Sequence, residues 1–337
     1  MVKKQMADGQ PCKKCAQAEE MIKDRELWDK IHEVVWAIEN DPDSDGMKLG
    51  AARGIELAPF FIVDDDGTET VYTSIAKFLK QTFPDAKRPS KAKPAAAAGP
   101  VDVLAAQEEL QGKEPPAIVD WALSRYGADC GIAFSGAEDV ALIDMASKTG
   151  HPFSVFCLDT GRLHPETLRF INRVRDHYAI DIYVMAPDRA KLEAFVLEKG
   201  LFSFYEDGHK GCCGVRKVEP LRRALSFLGA WMTGQRQDQS PATRNDLDVI
   251  EKDSIFKGKG DELIKFNPLS NWSSDRVWAY IRDERVPYNE LHDQGYISIG
   301  CEPCTRASRP GEHERAARWW WEEDTQRECG LHAGPNP

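Results

Sequence analysis

The sequence lacks long apolar stretches and lacks an excess of positive charge. It contains no run of 18 apolar residues, and its start, Met-Val-Lys-Lys-Gln-Met-Ala-Asp, has no apolar core after the charges. We therefore expect neither a membrane-spanning helix nor a signal peptide, and a cytoplasmic location. The 55 aspartates and glutamates outnumber the 44 lysines and arginines, which gives a net charge of -11. This balance argues against binding to nucleic acid or to an anionic membrane, so local clusters of arginine and lysine must meet any anionic ligand.

The spacing of the cysteines indicates a metal-binding or redox function. The chain has nine cysteines among 337 residues, and six of them stand in sequence pairs. In a protein expected to be cytoplasmic, such pairs indicate metal or redox chemistry rather than a disulfide framework. Two others, Cys130 and Cys157, lie in or beside strand patterns and are interpreted as core residues. The pairs are Cys12 with Cys15, Cys212 with Cys213, and Cys301 with Cys304, and the last cysteine is Cys329.

Residues 1–83 have the pattern of a small redox domain. Cys12 and Cys15, with two lysines between them, stand at the start of a predicted helix, where the helix dipole favours a thiolate. The element order, with Ala58-Pro59 just before a strand, resembles the thioredoxin and glutaredoxin fold, in which this proline is cis and faces the dithiol. Few residues precede Cys12, so the first strand of that fold is expected to be short or missing. The alternative, half of a zinc site, needs a second ligand pair that this segment lacks.

A linker and a larger domain are predicted to follow. Residues 84–100 contain four prolines and almost nothing to bury, which predicts a flexible tether. Residues 101–318 alternate helical and strand patterns without an internal repeat, which predicts an α/β fold with a doubly wound, mostly parallel sheet. Ligands of such sheets bind at the carboxyl ends of the strands. Residues 319–337 are expected to form a mobile tail.

Three loops after predicted strands carry polar groups suited to a nucleotide. The small-residue loop at Ser135 and Gly136 offers backbone N–H groups and a helix N-terminus to a phosphate or sulfate. At the end of the next strand, Asp159 can accept a hydrogen bond from an adenine or a ribose. A third loop adds hydroxyl groups and the guanidinium groups of Arg236 and Arg244. Each loop alone is often only a turn, but together they predict a nucleotide pocket for an anionic ligand.

Four cysteines form a candidate metal site: Cys212, Cys213, Cys301 and Cys304. A structural zinc site is one interpretation, but two adjacent cysteines rarely present both sulfurs to one tetrahedral ion. A [4Fe-4S] cluster, whose irons lie at separate corners, accepts adjacent cysteines more readily and is the favoured prediction. Lys217 would tie the cluster to the anion pocket. No flavin or haem is expected.

The last thirty residues combine arginines with a cysteine. Arg309, Arg315 and Arg318 are candidates to hold a sulfate or phosphate, although a solvated helix face also explains the last two. Cys329 lies eight residues before the final proline, and an arginine and a histidine close by can depress its pKa. We therefore interpret Cys329 as an exposed nucleophile on a mobile arm.

The combination of motifs resembles the assimilatory adenylylsulfate reductase family, over about residues 105–335. The related phosphoadenylylsulfate reductases keep the tail cysteine but typically lack the four cluster cysteines. The resemblance therefore implies adenosine 5'-phosphosulfate as substrate, a [4Fe-4S] cluster, and sulfite and AMP as products. The motifs, in order, are Ser135-Gly-Ala-Glu-Asp139, Leu158-Asp-Thr160, Cys212-Cys-Gly-Val-Arg-Lys217, Thr233-Gly-Gln-Arg236, Cys301-Glu-Pro-Cys304 and Arg327-Glu-Cys-Gly-Leu-His332.

The resemblance also implies a mechanism and roles for the residues. The Cys329 thiolate attacks the sulfur of the substrate and expels AMP, and the resulting S-sulfocysteine then releases sulfite on attack by a thiol. Thioredoxin, glutathione or the chain's own N-terminal domain is the expected electron donor. The double arginine of the family's third loop reads Arg236-Gln237 here, a departure from the pattern. By analogy, the groups that neutralise the phosphosulfate are Lys217, Arg244, Arg309, Arg315 and Arg318, and those that hold the nucleotide are Ser135, Gly136 and Asp159.

Other functions fit the sequence less well. A phosphoadenylylsulfate reductase or a dual-specificity enzyme is the first alternative, and turnover of the two nucleotides would separate them. An ATP pyrophosphatase is disfavoured because Ala137 and Val140 replace a glycine and a serine of its phosphate loop. An iron-sulfur redox sensor would not need Cys329. The sequence does not determine the oligomeric state, and it is compatible with a homo-oligomer.

Overall fold

The computed structural model describes residues 1–83 apart from residues 8, 24, 26 and 66, and then residues 101–239 and 247–322. The chain divides into two compact units, Met1–Ala92 and Lys93–Pro337. The predicted linker 84–100, Arg244 and residues 323–337 of the predicted tail, which include Cys329, lie outside the described residues. Among the helices within these ranges, none combines the length and the apolarity needed to cross a bilayer.

The first unit contains two pairs of strands and three helices. Strands β1 and β2 are parallel, and β3 and β4 are antiparallel. An antiparallel bridge between Val2 and Phe60 lies between the two pairs. The first strand is therefore present but only four residues long, and the Ala58–Pro59 peptide is cis, as the resemblance to thioredoxins implied. The elements are β1 (Val2–Gln5), α1 (Lys13–Lys23), β2 (Val35–Ile38), α2 (Asp45–Ala51), β3 (Phe61–Asp65), β4 (Thr68–Tyr72) and α3 (Ile75–Thr82), with a 3-10 helix at Trp28–Lys30.

The second unit alternates strands and helices. The strands are β5 (Cys130–Phe134), β6 (Ser154–Leu158), β7 (Ile182–Met185), β8 (Ala230–Met232), β9 (Ile250–Lys252) and β10 (Ile264–Phe266). The helices are α4 (Val103–Leu110), α5 (Pro115–Tyr126), α6 (Ala137–Ser147), α7 (Pro165–Tyr178), α8 (Arg189–Lys199), α9 (Lys210–Cys213), α10 (Glu219–Leu225) and α11 (Ser274–Asp283). A π-helical turn, Gly214–Val218, joins α9 to α10. Short 3-10 helices lie at Gly127–Asp129, Ser203–Tyr205, Gln237–Gln239, Lys259–Asp261, Glu290–Gln294 and Glu302–Cys304.

The central sheet has six strands in the order β7-β6-β5-β8-β10-β9. All neighbouring pairs are parallel except β9 with β10, which confirms the predicted α/β fold with a mainly parallel sheet. The alternation of side chains along a strand puts Val155 and Cys157 in one apolar cluster and Phe156 in another. Helices α5, α6, α7 and α11 contribute to the first cluster and α10 to the second, so helices cover both faces of the sheet.

The strand order reverses direction between β5 and β8. From β5 the chain passes to β6 and β7 on one side, and later to β8 and β10 on the other. Parallel sheets open a crevice at such a switch point, outside the carboxyl ends of the strands. The loops that follow β5 and β8, which begin at Ser135 and Thr233, lie at this point and carry the predicted nucleotide motifs.

Candidate active site

A cavity of about 230 Å³ lies at the carboxyl ends of β5, β6 and β8. Several of the residues predicted from sequence line it: Ser135, Gly136, Lys217, Arg315 and Arg318. Asp159, Arg236 and Arg309 are not among the lining residues. Arg244 lies outside the described residues. The structure thus brings all three predicted loops to one cavity, together with three of the predicted cations.

The loop after β5 is organised around the buried carboxylate of Asp139. The Ser135 and Gly136 backbone N–H groups and the Ser135 hydroxyl donate to its Oδ2 at 2.8–2.9 Å, and the Gly234 N–H donates to its Oδ1 at 2.9 Å. Burial raises the pKa of Asp139 to about 6, and the hydrogen bonds from Ser135 and Gly136 oppose this shift. The two N–H groups expected to face an anion are therefore engaged inside the protein, and cationic side chains remain to meet it.

The loop after β6 places Thr160, rather than Asp159, at the cavity. Asp159 accepts a hydrogen bond from the Gly161 N–H at 2.8 Å, which closes a turn. Thr160 is 1% exposed and lines the cavity. Its hydroxyl lies 3.2 Å from the sulfur of Cys301, and its carbonyl accepts a hydrogen bond from the Arg216 guanidinium at 2.7 Å. Thr160 therefore connects the cavity wall with the cysteine segments, a role that its sequence position did not signal.

Arg318 is a buried cation that lines the cavity. Its side chain packs over the Trp319 ring and against Gly300, where any β-carbon would clash with the guanidinium. The Nη1 atom lies 3.4 Å from both the Ser298 hydroxyl and the Ile299 carbonyl, and Nε has no hydrogen-bond partner within the described part of the chain. No carboxylate of the described residues forms an ion pair with it. Since a buried charge without a counter-ion is unfavourable, this site is suited to an anionic ligand.

The four predicted metal ligands meet in a second, smaller pocket that shares Lys217 with the cavity. None of the four sulfur-bearing residues is more than 9% exposed: Cys212, Cys213, Cys301 and Cys304. The first two lie at the end of α9, while Cys301 precedes the 3-10 helix Glu302–Cys304 and Cys304 is its last residue. Across the ranges that the structure describes, no group of three or more histidine, cysteine or acidic side chains is positioned to hold a single metal ion.

The surroundings of these sulfurs are aromatic and cationic. Trp319 stacks on His209 with ring centroids 4.2 Å apart, and its backbone N–H donates to the Cys304 carbonyl at 3.1 Å. Burial raises the pKa of Cys212 and raises that of Cys304 to about 12, while nearby guanidinium and ammonium groups lower both. Burial therefore favours the protonated form of these two thiols, whose protons a metal would displace, and cations are already placed to balance the resulting negative charge.

The comparisons with known proteins agree with this geometry. The model of the family described as "Phosphoadenosine phosphosulfate reductase domain" matches residues 129–307. The adenosine 5'-phosphosulfate reductase of Pseudomonas aeruginosa (strain LESB58) is 55% identical over 256 residues, which are 75% of this chain and 96% of that protein. The chain belongs to the adenylylsulfate reductase family. This confirms the family and the reaction class that the motifs implied.

Two further relatives of this reductase family are informative. The probable 5'-adenylylsulfate reductase 1, chloroplastic, of Oryza sativa subsp. japonica is 56% identical over 69% of this chain and 50% of that protein. A solved phosphoadenylyl-sulfate reductase from Candida auris, in a phosphate complex, has a TM-score of 0.51 and 30% identity, over 60% of this chain and 96% of that chain. The six-stranded unit therefore has the reductase fold.

The N-terminal unit of this reductase family member contains the dithiol. The Cys12 and Cys15 sulfurs lie 2.9 Å apart, and the Lys4 backbone N–H donates to the Cys15 sulfur at 3.1 Å. Cys15 is fully buried, and burial raises the pKa of its thiol to about 12. Cys12 is half-buried and is the sulfur that an oxidant can reach.

Two predicted arginines of the reductase occupy other positions. Arg309 is exposed, and its backbone N–H donates to Glu312 at 2.8 Å. Arg236 is 1% exposed and pairs with Glu138, Asp238 and Glu314. Sequence reasoning did not single out Glu138, Glu314 or Thr160, because carboxylates and hydroxyls at loop ends are common and carry no spacing signal.

Proposed function

We propose that the protein reduces adenosine 5'-phosphosulfate to sulfite and AMP. The observation that carries the proposal is the Arg318 guanidinium, a buried cation without a carboxylate partner in the described structure, in a cavity that adjoins four buried cysteines. Lys217 and Arg315 line the same cavity, so three cations face one anionic ligand. The names of the bacterial and plant relatives support this substrate.

The proposed reaction transfers two electrons from thiols. The Cys329 thiolate attacks the sulfur of the bound substrate, a sulfur–sulfur bond forms, and the sulfur–oxygen bond to AMP breaks. A second thiolate then attacks the Cys329 sulfur, and sulfite leaves with the bonding electron pair. The partner thiol of the donor resolves the mixed disulfide and frees Cys329. In this sequence Lys217, Arg315 and Arg318 hold the phosphosulfate and stabilise the negative charge that AMP gains.

The four buried cysteines would hold a [4Fe-4S] cluster. The donor set fits, since four thiols converge from two segments beside Arg216 and Lys217, and the adjacent pair suits separate corners of a cubane. When bound, such a cluster would join the two segments and tune the electrostatics of the neighbouring anion pocket. Anaerobic purification is expected to yield four irons and four sulfides per chain, and Cys304→Ser to lose both. Stoichiometric zinc without sulfide would contradict the assignment.

We assign the electron donor to the first unit of the same chain. Residues 1–83 would act as the redox domain, 84–100 as the tether, 101–318 as the substrate- and cluster-binding domain, and 319–337 as the tail with Cys329. The first residue of this tail, Trp319, is packed against His209 rather than mobile. Cys12 would attack and Cys15 would resolve, since Cys12 is the more exposed. Thioredoxin and glutathione are the alternative donors. The chemistry requires reduced thiols, which supports the proposed location in a reducing compartment such as the cytoplasm.

One anaerobic assay tests substrate and mechanism together. We expect sulfite release from adenosine 5'-phosphosulfate to exceed that from the 3'-phosphorylated nucleotide at least tenfold in kcat/KM. Cys329→Ser is expected to retain nucleotide binding and lose sulfite release. Equal turnover of the two nucleotides would favour the dual-specificity alternative. Full activity of the Cys329→Ser protein would instead favour a redox sensor.

A further inference from the structure

Arg236 is the buried centre of an ionic cluster at the margin of the cavity. Its guanidinium lies 3.0 Å from Glu138, at the start of α6, and 3.0 Å from Glu314, in the segment that follows the last cluster cysteine. A third carboxylate, that of Asp238, also pairs with it. Glu138 and Glu314 line the cavity, whereas Arg236 does not. The guanidinium therefore pairs with two carboxylates of the cavity wall without lining the cavity itself.

The segment that contains Glu314 also carries two of the cations proposed to bind the substrate. Residues 305–318 contain no helix or strand and are held by local contacts. Arg306 forms two hydrogen bonds of 2.8 Å with Glu312 and lowers its pKa to about 2, so this pair stays ionised in any neutral assay. Glu314 pairs with Arg236, which also pairs with Glu138, and this links the segment to the loop after β8 and to α6.

The pairing of Arg236 with Glu138 and Glu314 also neutralises negative charge on the cavity wall, where an anionic ligand would bind. Two carboxylates on the wall of a site for a phosphosulfate would repel it if they were unpaired. Burial raises the pKa of Glu314 and Arg236 opposes that shift, so the guanidinium keeps Glu314 ionised and compensated. Removing one partner of a buried ion pair leaves an uncompensated charge, which is more costly than removing both.

We propose that Arg236 is a positioning residue, which fixes Glu314 and thereby places Arg315 and Arg318 over the cavity, and does not itself contact the substrate. The inference rests on the proposed function, because the anion that these arginines receive is the phosphosulfate. It departs from the expectation from sequence, in which the Arg236 guanidinium faces the anionic ligand directly.

The test compares Arg236→Gln, Glu314→Gln and the double variant in the full-length chain. Each single variant is expected to raise KM for adenosine 5'-phosphosulfate about tenfold or more with a smaller change in kcat. The double variant is expected to be no worse than Arg236→Gln, because residues that act as one unit do not give additive losses. Affinity for AMP should fall with KM, whereas affinity for adenosine, which lacks the anion, should stay within twofold.

The controls separate this proposal from misfolding and from the proposed function. Arg189→Gln, which removes an exposed ion pair with Glu193, is expected to behave as wild type. Glu314→Gln is nearly isosteric and keeps the test valid if Arg236→Gln does not fold. A wild-type KM for Glu314→Gln, or losses that multiply in the double variant, would overturn the positioning role. Absence of wild-type turnover would refute the proposed function instead.

Discussion

Arg318 shows how a single buried charge can indicate a ligand. A guanidinium that is 6% exposed normally finds a carboxylate, and Arg306 and Arg236 do so with Glu312 and Glu138. Arg318 has two long contacts to neutral oxygens instead. The protein therefore tolerates an unfavourable charge, and a negatively charged ligand would offset that cost.

Arg318→Gln is expected to weaken substrate binding without weakening the fold. Charge-assisted hydrogen bonds contribute about 1.5–3 kcal/mol, so KM should rise roughly 10- to 150-fold. Because an unpaired buried cation is removed, the free energy of unfolding without nucleotide should fall by less than about 1 kcal/mol or should rise. Steady-state kinetics and thermal unfolding measure the two effects. Arg276→Gln, which breaks an exposed ion pair with Glu114, is the matched control. An unchanged KM for Arg318→Gln would contradict the anion site.

The two sulfurs of the dithiol differ in reactivity because they differ in burial. At pH 8 the Cys15 thiol, with a pKa of about 12, is ionised in roughly one molecule in ten thousand. The fraction of thiolate rises tenfold with each pH unit below the pKa, so Cys15 stays protonated throughout the neutral range. Iodoacetamide should therefore label Cys12 at least a hundredfold faster than Cys15 in the reduced protein. Peptide mass spectrometry would measure both rates, and preferential labelling of Cys15 would reverse the assigned roles.

At the scale of elements, the cavity depends on a close approach of two loops. The loop after β8 contacts the start of α6 through Gly234, whose N–H donates to Asp139. A β-carbon at Gly234 would lie 2.5 Å from the Glu138 β-carbon and 2.7 Å from an Asp139 oxygen. The two loops are 95 residues apart in sequence and can approach because β5 and β8 are neighbours in the sheet.

Gly234→Ala is therefore expected to separate these loops. Overpacking of this kind costs about 1–3 kcal/mol, and we expect a lower midpoint of thermal unfolding and a KM raised tenfold or more. Gly229→Ala is the control at the other end of β8, where the new β-carbon meets the Tyr126 ring at 3.4 Å, an ordinary contact. Similar effects of both substitutions would show that the β8 region, rather than the loop contact, is sensitive.

At the scale of the whole molecule, the chain joins a dithiol unit to a reductase unit. The matched family region, residues 129–307, lies entirely within the second unit. The proposed tether of about 17 residues between the two units would give an effective concentration in roughly the millimolar range if Cys12 and Cys329 can meet. Electron transfer within one chain should then outcompete transfer between chains in dilute solution.

Mixing two inactive variants would test this transfer. With glutathione and no thioredoxin, Cys12→Ser and Cys329→Ser are each expected to be inactive, and their mixture at nanomolar concentration should recover less than about a tenth of wild-type turnover. Recovery should rise with protein concentration, whereas wild-type specific activity should not. Added thioredoxin should restore Cys12→Ser but not Cys329→Ser. Wild-type turnover of Cys12→Ser with glutathione alone would exclude the N-terminal dithiol as the donor.

The sequence alone determined the family, the fold class and the set of cysteines, because these depend on local patterns. Strand and helix periodicity depends on residues that are close in sequence. The spacing of Cys212 with Cys213 and of Cys301 with Cys304 is likewise visible in the sequence itself. The metal itself, and the role of Cys329 outside the described residues, stay predictions.

The tertiary structure alone decided which polar groups face the ligand. Asp159 and Thr160 are adjacent, and successive side chains at a strand end point in different directions, so only the register showed that Thr160 lines the cavity. The Ser135 and Gly136 N–H groups donate hydrogen bonds to Asp139. The Arg236 guanidinium donates to Glu314, which is 78 residues away in sequence. Arg318 remains without such a partner among the described residues. These choices depend on contacts between distant segments, and no local pattern in the sequence encodes them.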